Sequence, residues 1–173
     1  QPKYLNSSDT PVFKKSRNLY SLNFARTCCS EELIVCEGYM DVIGVNLAGL
    51  SNAVATLGTA LTSDQARIMA KYTKKVIIAY DSDGAGVAAT RRAIPILTEA
   101  GLEVRVLHME GAKDPDEYIK KYGAERFKAL LDGVGNALDF RLGRLRSQYD
   151  LSQDAQRLEY VKEAVDLLAE RSS

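Results

Sequence analysis

Two short, unbroken apolar runs constrain this chain more than any other feature. Leu33-Ile34-Val35-Cys36 and Val76-Ile77-Ile78-Ala79-Tyr80 contain no charged residue. A strand with one wet face alternates apolar and polar residues. A run that is apolar throughout suits a strand covered on both faces, as in parallel sheets layered between helices. Ala53 to Thr56 and Val104 to Leu107 read as two further strands. Helical segments fall between them. Asp41 to Ala48 stops at Gly49. Thr62-Ser63-Asp64-Gln65 forms a capping box that opens a helix to about Tyr72. Gly86 to Ala100 closes at Gly101, with a kink expected at Pro95. Alternating strands and helices predict an α/β fold with a parallel-rich sheet flanked by helices.

The two ends read differently. Residues 1–30 have weak periodicity, two prolines and a basic cluster of Lys14, Lys15 and Arg17. They are expected to form an arm leading into the core, with one short helix from Arg17 to Phe24. Residues 31–135 form the expected α/β domain, which ends in short helices over Asp116–Tyr122 and Ala124–Leu131. Gly133 and Gly135 mark a boundary, and 136–173 read as a small helical subdomain of two helices, Ala137–Tyr149 and Asp154–Glu170. In the second, Leu158, Val161, Val165 and Leu168 recur at three- and four-residue steps and make one apolar face.

Composition removes several function classes. Lysine plus arginine balance aspartate plus glutamate, 23 against 23, so net charge argues neither for nor against a nucleic-acid partner. Cys28, Cys29 and Cys36 lack disulfide or C-x-x-C spacing, and His108 is the single histidine, which argues against zinc. Three free thiols suit a reducing cytoplasm. No apolar run approaches ~18 residues, so neither a membrane span nor a signal peptide is expected. The chain opens on Gln1 and is expected to be a central fragment of a longer protein.

In open α/β sheets, ligands bind beyond the carboxyl ends of the strands, so the acids there matter most. Glu37-Gly38 follows the first strand, Asp81-Ser82-Asp83-Gly84 the third, and Lys113-Asp114-Pro115-Asp116 the fourth. Asp41, four residues after Glu37, faces the same cleft if its helix starts there. Crowded carboxylates raise one another's pKa, and a hard divalent cation with oxygen ligands relieves the crowding. Two such ions can clamp the attacking and leaving oxygens of a phosphoryl displacement. Asp83 and Asp116 also fit as helix N-caps. Gly38, Gly84 and Gly86 are expected to let backbone approach the site closely.

With these residues in that order, the chain resembles the topoisomerase–primase (Toprim) domain, which pairs a Glu after its first strand with Asp-x-Asp after its third. It resembles the bacterial DNA primase family in particular. The matching stretches are Glu37-Gly38-Tyr39-Met40-Asp41-Val42, Ala55-Thr56-Leu57-Gly58-Thr59, Tyr80 to Gly86, and Asp114-Pro115-Asp116. Upstream, Pro2 to Ser7 and Phe13 to Tyr20 resemble the stretch that precedes Toprim in primases, with Ser16 where the family often has Gly. The likeness thins over the helical tail.

The resemblance implies metal-dependent synthesis of RNA primers on a single-stranded DNA template from ribonucleoside triphosphates. It implies Mg²⁺, with Mn²⁺ as a substitute, held by Glu37, Asp81 and Asp83, and Glu37 ligating metal or assisting proton transfer. Asp41, Asp114 and Asp116 would be supporting acids. Lys15 and Arg17 would contact phosphate, the alternative being a solvated face. The replicative helicase would be met through a domain absent here, and no membrane is involved. Three other classes stay open. One is a Toprim nuclease or topoisomerase; another is a non-catalytic nucleic-acid-binding module. The third is an Asp-nucleophile phosphatase, which would give Glu37 no role and normally carries its motif on the first strand.

Overall fold

The structure is a computed structural model and describes residues 7–133 and 137–169. The chain divides into two compact units, Gln1–Val134 and Gly135–Ser173. The expected boundary at Gly135, the Pro2–Asn6 stretch and the helix end at Glu170 lie outside the described residues.

The first unit is built on strands β1 (Leu33–Cys36), β2 (Ala53–Ala55), β3 (Lys75–Ala79) and β4 (Glu103–Val106). They pair in the order β2-β1-β3-β4, all parallel. β1 is buried at every position, as are the last four residues of β3, which is why both read as continuous apolar runs. The helices are α1 (Leu22–Ala25), α2 (Tyr39–Leu47), α3 (Ser63–Met69), α4 (Gly84–Glu99), α5 (Pro115–Tyr122) and α6 (Ala124–Asp132).

Strand order fixes the layers. The β1–α2–β2 crossover runs toward one edge, whereas β2–α3–β3 and β3–α4–β4 run toward the other. Because such crossovers are right-handed, α2 lies on one face and α3 and α4 on the opposite face. On the α2 face, Ile34, Cys36, Ile77 and Ala79 pack with Val42, Val45, Tyr118, Phe127 and Leu131 of α2, α5 and α6. The alternate strand residues, Leu33, Val35, Val76 and Ile78, are equally buried and point the other way.

The expected helix from Arg17 to Phe24 is not formed. A single 3₁₀ turn covers Lys15–Arg17, and α1 begins only at Leu22. Between them Tyr20 makes an antiparallel bridge to Ala55: its N–H donates to the Ala55 carbonyl at 2.8 Å. Ser21 then turns the chain with φ of 65°. The arm is held by Gln65, which is fully buried. The Gln65 amide nitrogen donates to the carbonyls of Lys15 (3.0 Å) and Asn18 (2.8 Å), while its oxygen accepts from the Thr62 N–H (3.1 Å). The capping box read from the sequence is present, and it also anchors a distant segment.

Other helix ends shift slightly. α4 starts at Gly84, two residues earlier than expected, because Asp83 caps it; α3 stops at Met69 rather than Tyr72. The second unit contains α7 (Ala137–Arg146) and α8 (Asp154–Ala169). Tyr149 Oη donates to Glu163 at 2.7 Å and joins the segment after α7 to α8. Leu158, Val161, Val165 and Leu168 lie 47–57% exposed. Among the described residues no helix is long and apolar enough to cross a membrane.

Candidate functional site

β1 and β3 are neighbours, but their outgoing connections lead to opposite edges of the sheet. The crevice beyond their carboxyl ends is therefore the topological switch point, where open α/β sheets bind ligands. Cys36 and Ala79 lie in register there, so Glu37 and Tyr80-Asp81 leave the sheet side by side. A cleft of about 660 Å³ opens at this point. Glu37, Asp41, Asp81, Asp114 and Asp116 all line it, with Tyr39, Thr56, Gly58 and the lysines 113, 120 and 121.

Each acid is fixed by local structure. Glu37 is exposed directly after β1. Asp81 is half-buried in a turn that Gly86 makes possible: a Cβ at 86 would lie 2.1 Å from the Asp81 carbonyl oxygen. Ser82 N–H donates to the Lys113 carbonyl at 2.7 Å, tying this turn to the loop before α5. Asp114 caps α5, accepting from the Glu117 N–H at 2.7 Å. Asp116 pairs with Lys120 at 2.6 Å, and Lys113 with Asp114 at 3.3 Å. Asp41 is buried in the first turn of α2.

Crowding shows in the acidities. Burial, then the charges of Glu37, Asp41, Asp114 and Asp83, push Asp81 up to about 6. Burial and Asp114 likewise raise Asp41 to about 6, against the backbone N–H groups of Gly38 and Asp116 that favour its ionised form. Burial lifts the Cys36 thiol beneath the cleft well above its ordinary value.

Not all expected residues converge. Asp83 does not line the cleft; its Oδ1 accepts from Gly86 N–H at 2.8 Å and caps α4. A Cβ at Gly84 would meet nothing within 4 Å, so of the three glycines only Gly86 and Gly38 serve close approach. Lys15 and Arg17 lie elsewhere, on the arm: Arg17 Nε contacts Asp64 Oδ2 at 3.0 Å. Sequence reasoning missed the lysines 113, 120 and 121. Their signal was Lys-Asp-Pro-Asp followed by Lys-Lys one turn later, a pattern that also describes any solvated helix.

Among the described residues no three acidic, histidine or cysteine side chains stand close enough to hold a metal ion as placed. The donor chemistry nevertheless fits one. Hard carboxylate oxygens crowd an open cleft, and Asp81 is raised in pKa by burial first and then by the neighbouring carboxylates, both of which a bound cation would offset. Glu37 is exposed at the rim of the same cleft.

A parallel sheet with a Glu after its first strand and Asp-x-Asp after its third defines a Toprim-type domain. The family model described as Toprim-like matches residues 34–119, and one described as the DnaB-helicase binding domain of primase matches 138–173. A DNA primase of Clostridium acetobutylicum is 43% identical over 98% of this chain and 29% of its own length. That of Aquifex aeolicus is 45% identical over 80% of this chain and 28% of its own. Among solved structures, the zinc-binding and RNA polymerase domains of the Aquifex aeolicus primase superpose with a TM-score of 0.79 at 38% identity, over 98% of this chain and 43% of that one. A DnaG primase catalytic domain bound to single-stranded DNA gives 0.78 at 35%, over 97% and 55%. The chain belongs to the DNA primase family. It spans less than a third of the curated relatives it matches. The helicase-binding match falls within residues 138–173, whereas the helicase contact was expected wholly outside the chain.

Proposed function

We propose that this chain is the metal-binding part of a cytoplasmic primase, a nucleotidyltransferase that joins ribonucleoside triphosphates into RNA primers on single-stranded DNA. The observation that carries this reading is the convergence of Glu37, Asp81 and Asp114 at the switch point, with Asp81 pushed up to about 6. The primase relatives, and a structural neighbour described as bound to single-stranded DNA, support it. Residues 31–135 serve as the Toprim domain, 1–30 as its arm and 136–173 as the helical part through which a replicative helicase is met.

Glu37 and Asp81 would hold Mg²⁺ or Mn²⁺, and Asp83, whose Oδ1 caps α4, would offer only its second carboxylate oxygen. When bound, the ion supplies positive charge where negative charge develops on the transferred phosphoryl oxygens. The protein's own groups do the rest. Alternatively to ligating the ion, Glu37, exposed at the strand end, would take the proton of the attacking 3′-hydroxyl as pyrophosphate leaves. Lys113 and Lys120 line the cleft beside Asp114 and Asp116 and draw the triphosphate tail toward the acids. Lys15 and Arg17 contact backbone phosphate without reading bases.

The test is primer synthesis by a primase containing this segment, wild type against Glu37→Gln. Most of the yield should vanish while single-strand affinity at fixed salt holds, because Glu37 serves the chemistry and not the strand. Normal synthesis by the variant would remove Glu37, and this reading, from consideration.

A further inference from the structure

α5 begins with Pro115, which has no N–H, so its first backbone donors belong to Asp116 and Glu117. Glu117 N–H is taken by Asp114. Asp116 N–H faces out of the helix toward the carboxylate of Asp41, on α2, and favours its ionised form. The same carboxylate accepts from Gly38 N–H at 3.1 Å, closing the start of its own helix. One side chain, 7% exposed, therefore sits between the starts of two helices that come from distant parts of the sequence. Both helices present their positive ends to it, which suits a buried anion.

A second observation points to the same contact. Gly44 lies one turn along α2, on the same face as Asp41. A Cβ at Gly44 would lie 2.9 Å from Asp116 Oδ1 and 3.3 Å from Asp116 Cα. The absence of a side chain at 44 is what lets α5 approach closely enough for Asp41 to reach it.

We infer that Asp41 is a positioning residue, a brace joining the Glu37-Gly38 turn to the first turn of α5, and that it acts on the cleft by fixing the spacing of its two acidic walls rather than by ligating the ion. One wall carries Glu37, which immediately precedes a residue that Asp41 holds. The other carries Asp114 and Asp116, on the first turn of α5, which Asp41 faces. Ser82 N–H on the Lys113 carbonyl joins the Asp81 turn to the same loop, so the brace also governs where Asp81 lies relative to Glu37. The meaning of this spacing rests on the proposed function, but the brace itself does not.

The experiment uses this chain, with Mn²⁺ alone as the probe, and reads two quantities: Mn²⁺ affinity by titration, and amide exchange at Gly38 and Asp116 by NMR. The variants are Asp41→Asn, Asp41→Ala, Gly44→Ala and Asp81→Asn. Asparagine keeps an oxygen acceptor and loses the charge. Asp41→Asn should retain most of the Mn²⁺ affinity, while Asp81→Asn loses it. Asp41→Ala and Gly44→Ala should speed exchange at Asp116 roughly tenfold or more, as expected for losing a hydrogen bond to a charged group, and should weaken Mn²⁺ together. If Asp41→Ala does not fold, Gly44→Ala carries the same prediction with Asp41 intact. Loss of Mn²⁺ in Asp41→Asn equal to that in Asp81→Asn, with Asp116 still protected, would make Asp41 a ligand and overturn the inference. Unchanged Asp116 protection in Gly44→Ala would do so as well. A wild-type chain that binds no Mn²⁺ would instead count against the proposed function, and the exchange data would still decide the brace.

Discussion

Replacing Asp81 by Asn should stabilise the metal-free protein while abolishing its response to metal. In the folded chain Asp81 is raised from 3.8 to about 6, by burial first and then by the neighbouring carboxylates. Two pKa units correspond to about 3 kcal/mol. The side chain is half-solvated, so screening cuts this to about 1–1.5 kcal/mol. The sign follows from which form the fold disfavours. Above pH 6 the folded state carries a charge that costs more than in the unfolded chain. That cost disappears as pH falls through 6 toward 4, where the folded carboxyl is neutral and the unfolded one begins to protonate. Asn carries no charge at any pH, and Gly86 sets the turn through the Asp81 backbone carbonyl, which the substitution leaves alone. Urea denaturation in chelator at about pH 7.5 should therefore show Asp81→Asn more stable by about 1 kcal/mol, the gap closing by about pH 4.5. Added Mn²⁺ should stabilise the wild type and leave the variant unchanged. A variant equal to or less stable than wild type in chelator at the higher pH would refute the repulsion argument.

Gln65→Ala removes two side-chain hydrogen bonds that join the arm to α3 and a third, from Thr62 N–H, that closes the capping box, and should cost about 3 kcal/mol at ~1 kcal/mol each; denaturant unfolding measures the loss, and limited proteolysis should cut first within residues 10–24. Gly86→Ala places a Cβ 2.1 Å from the Asp81 carbonyl oxygen, so it should cost about 1–3 kcal/mol as overpacking does. It should also weaken Mn²⁺ binding by calorimetry, although residue 86 bears no donor.

The sheet was legible because its evidence is local. A strand covered on both faces has to be apolar throughout, and Leu33–Cys36 and Val76–Ala79 satisfy that without help from the rest of the chain. The acids at the strand ends followed, since the ends place them. What stayed hidden was non-local. Gln65 was read as half of a capping box, which it is, but its amide nitrogen finds carbonyls 47 and 50 residues away. A short helix was expected across Arg17 to Phe24 of the arm because nothing near Tyr20 shows that Ala55 will pair with it. Asp83 and Asp81 look alike in sequence, and only the cap on Gly86 separates the one turned to α4 from the one turned to the cleft. The lysines of the rim were missed because a charged helix face reads the same whether it looks at water or across a cleft.

The Tyr20–Ala55 bridge has a consequence for solubility. A sheet's outer strands present unpaired N–H and C=O groups that can template self-association. β4, at one side, carries Glu103 and Arg105 at alternate positions, and Arg105 reaches Glu32 at 3.6 Å. β2, at the other side, is Ala-Val-Ala, with no charge to discourage a visiting strand. There the arm itself occupies Ala55, its N–H and carbonyl both engaged by Tyr20. The residues before the first strand thus act as a gatekeeper for the weakest edge. Trimming them would free the N–H and carbonyl of Ala55 and leave the β2 edge open to pairing with a second copy.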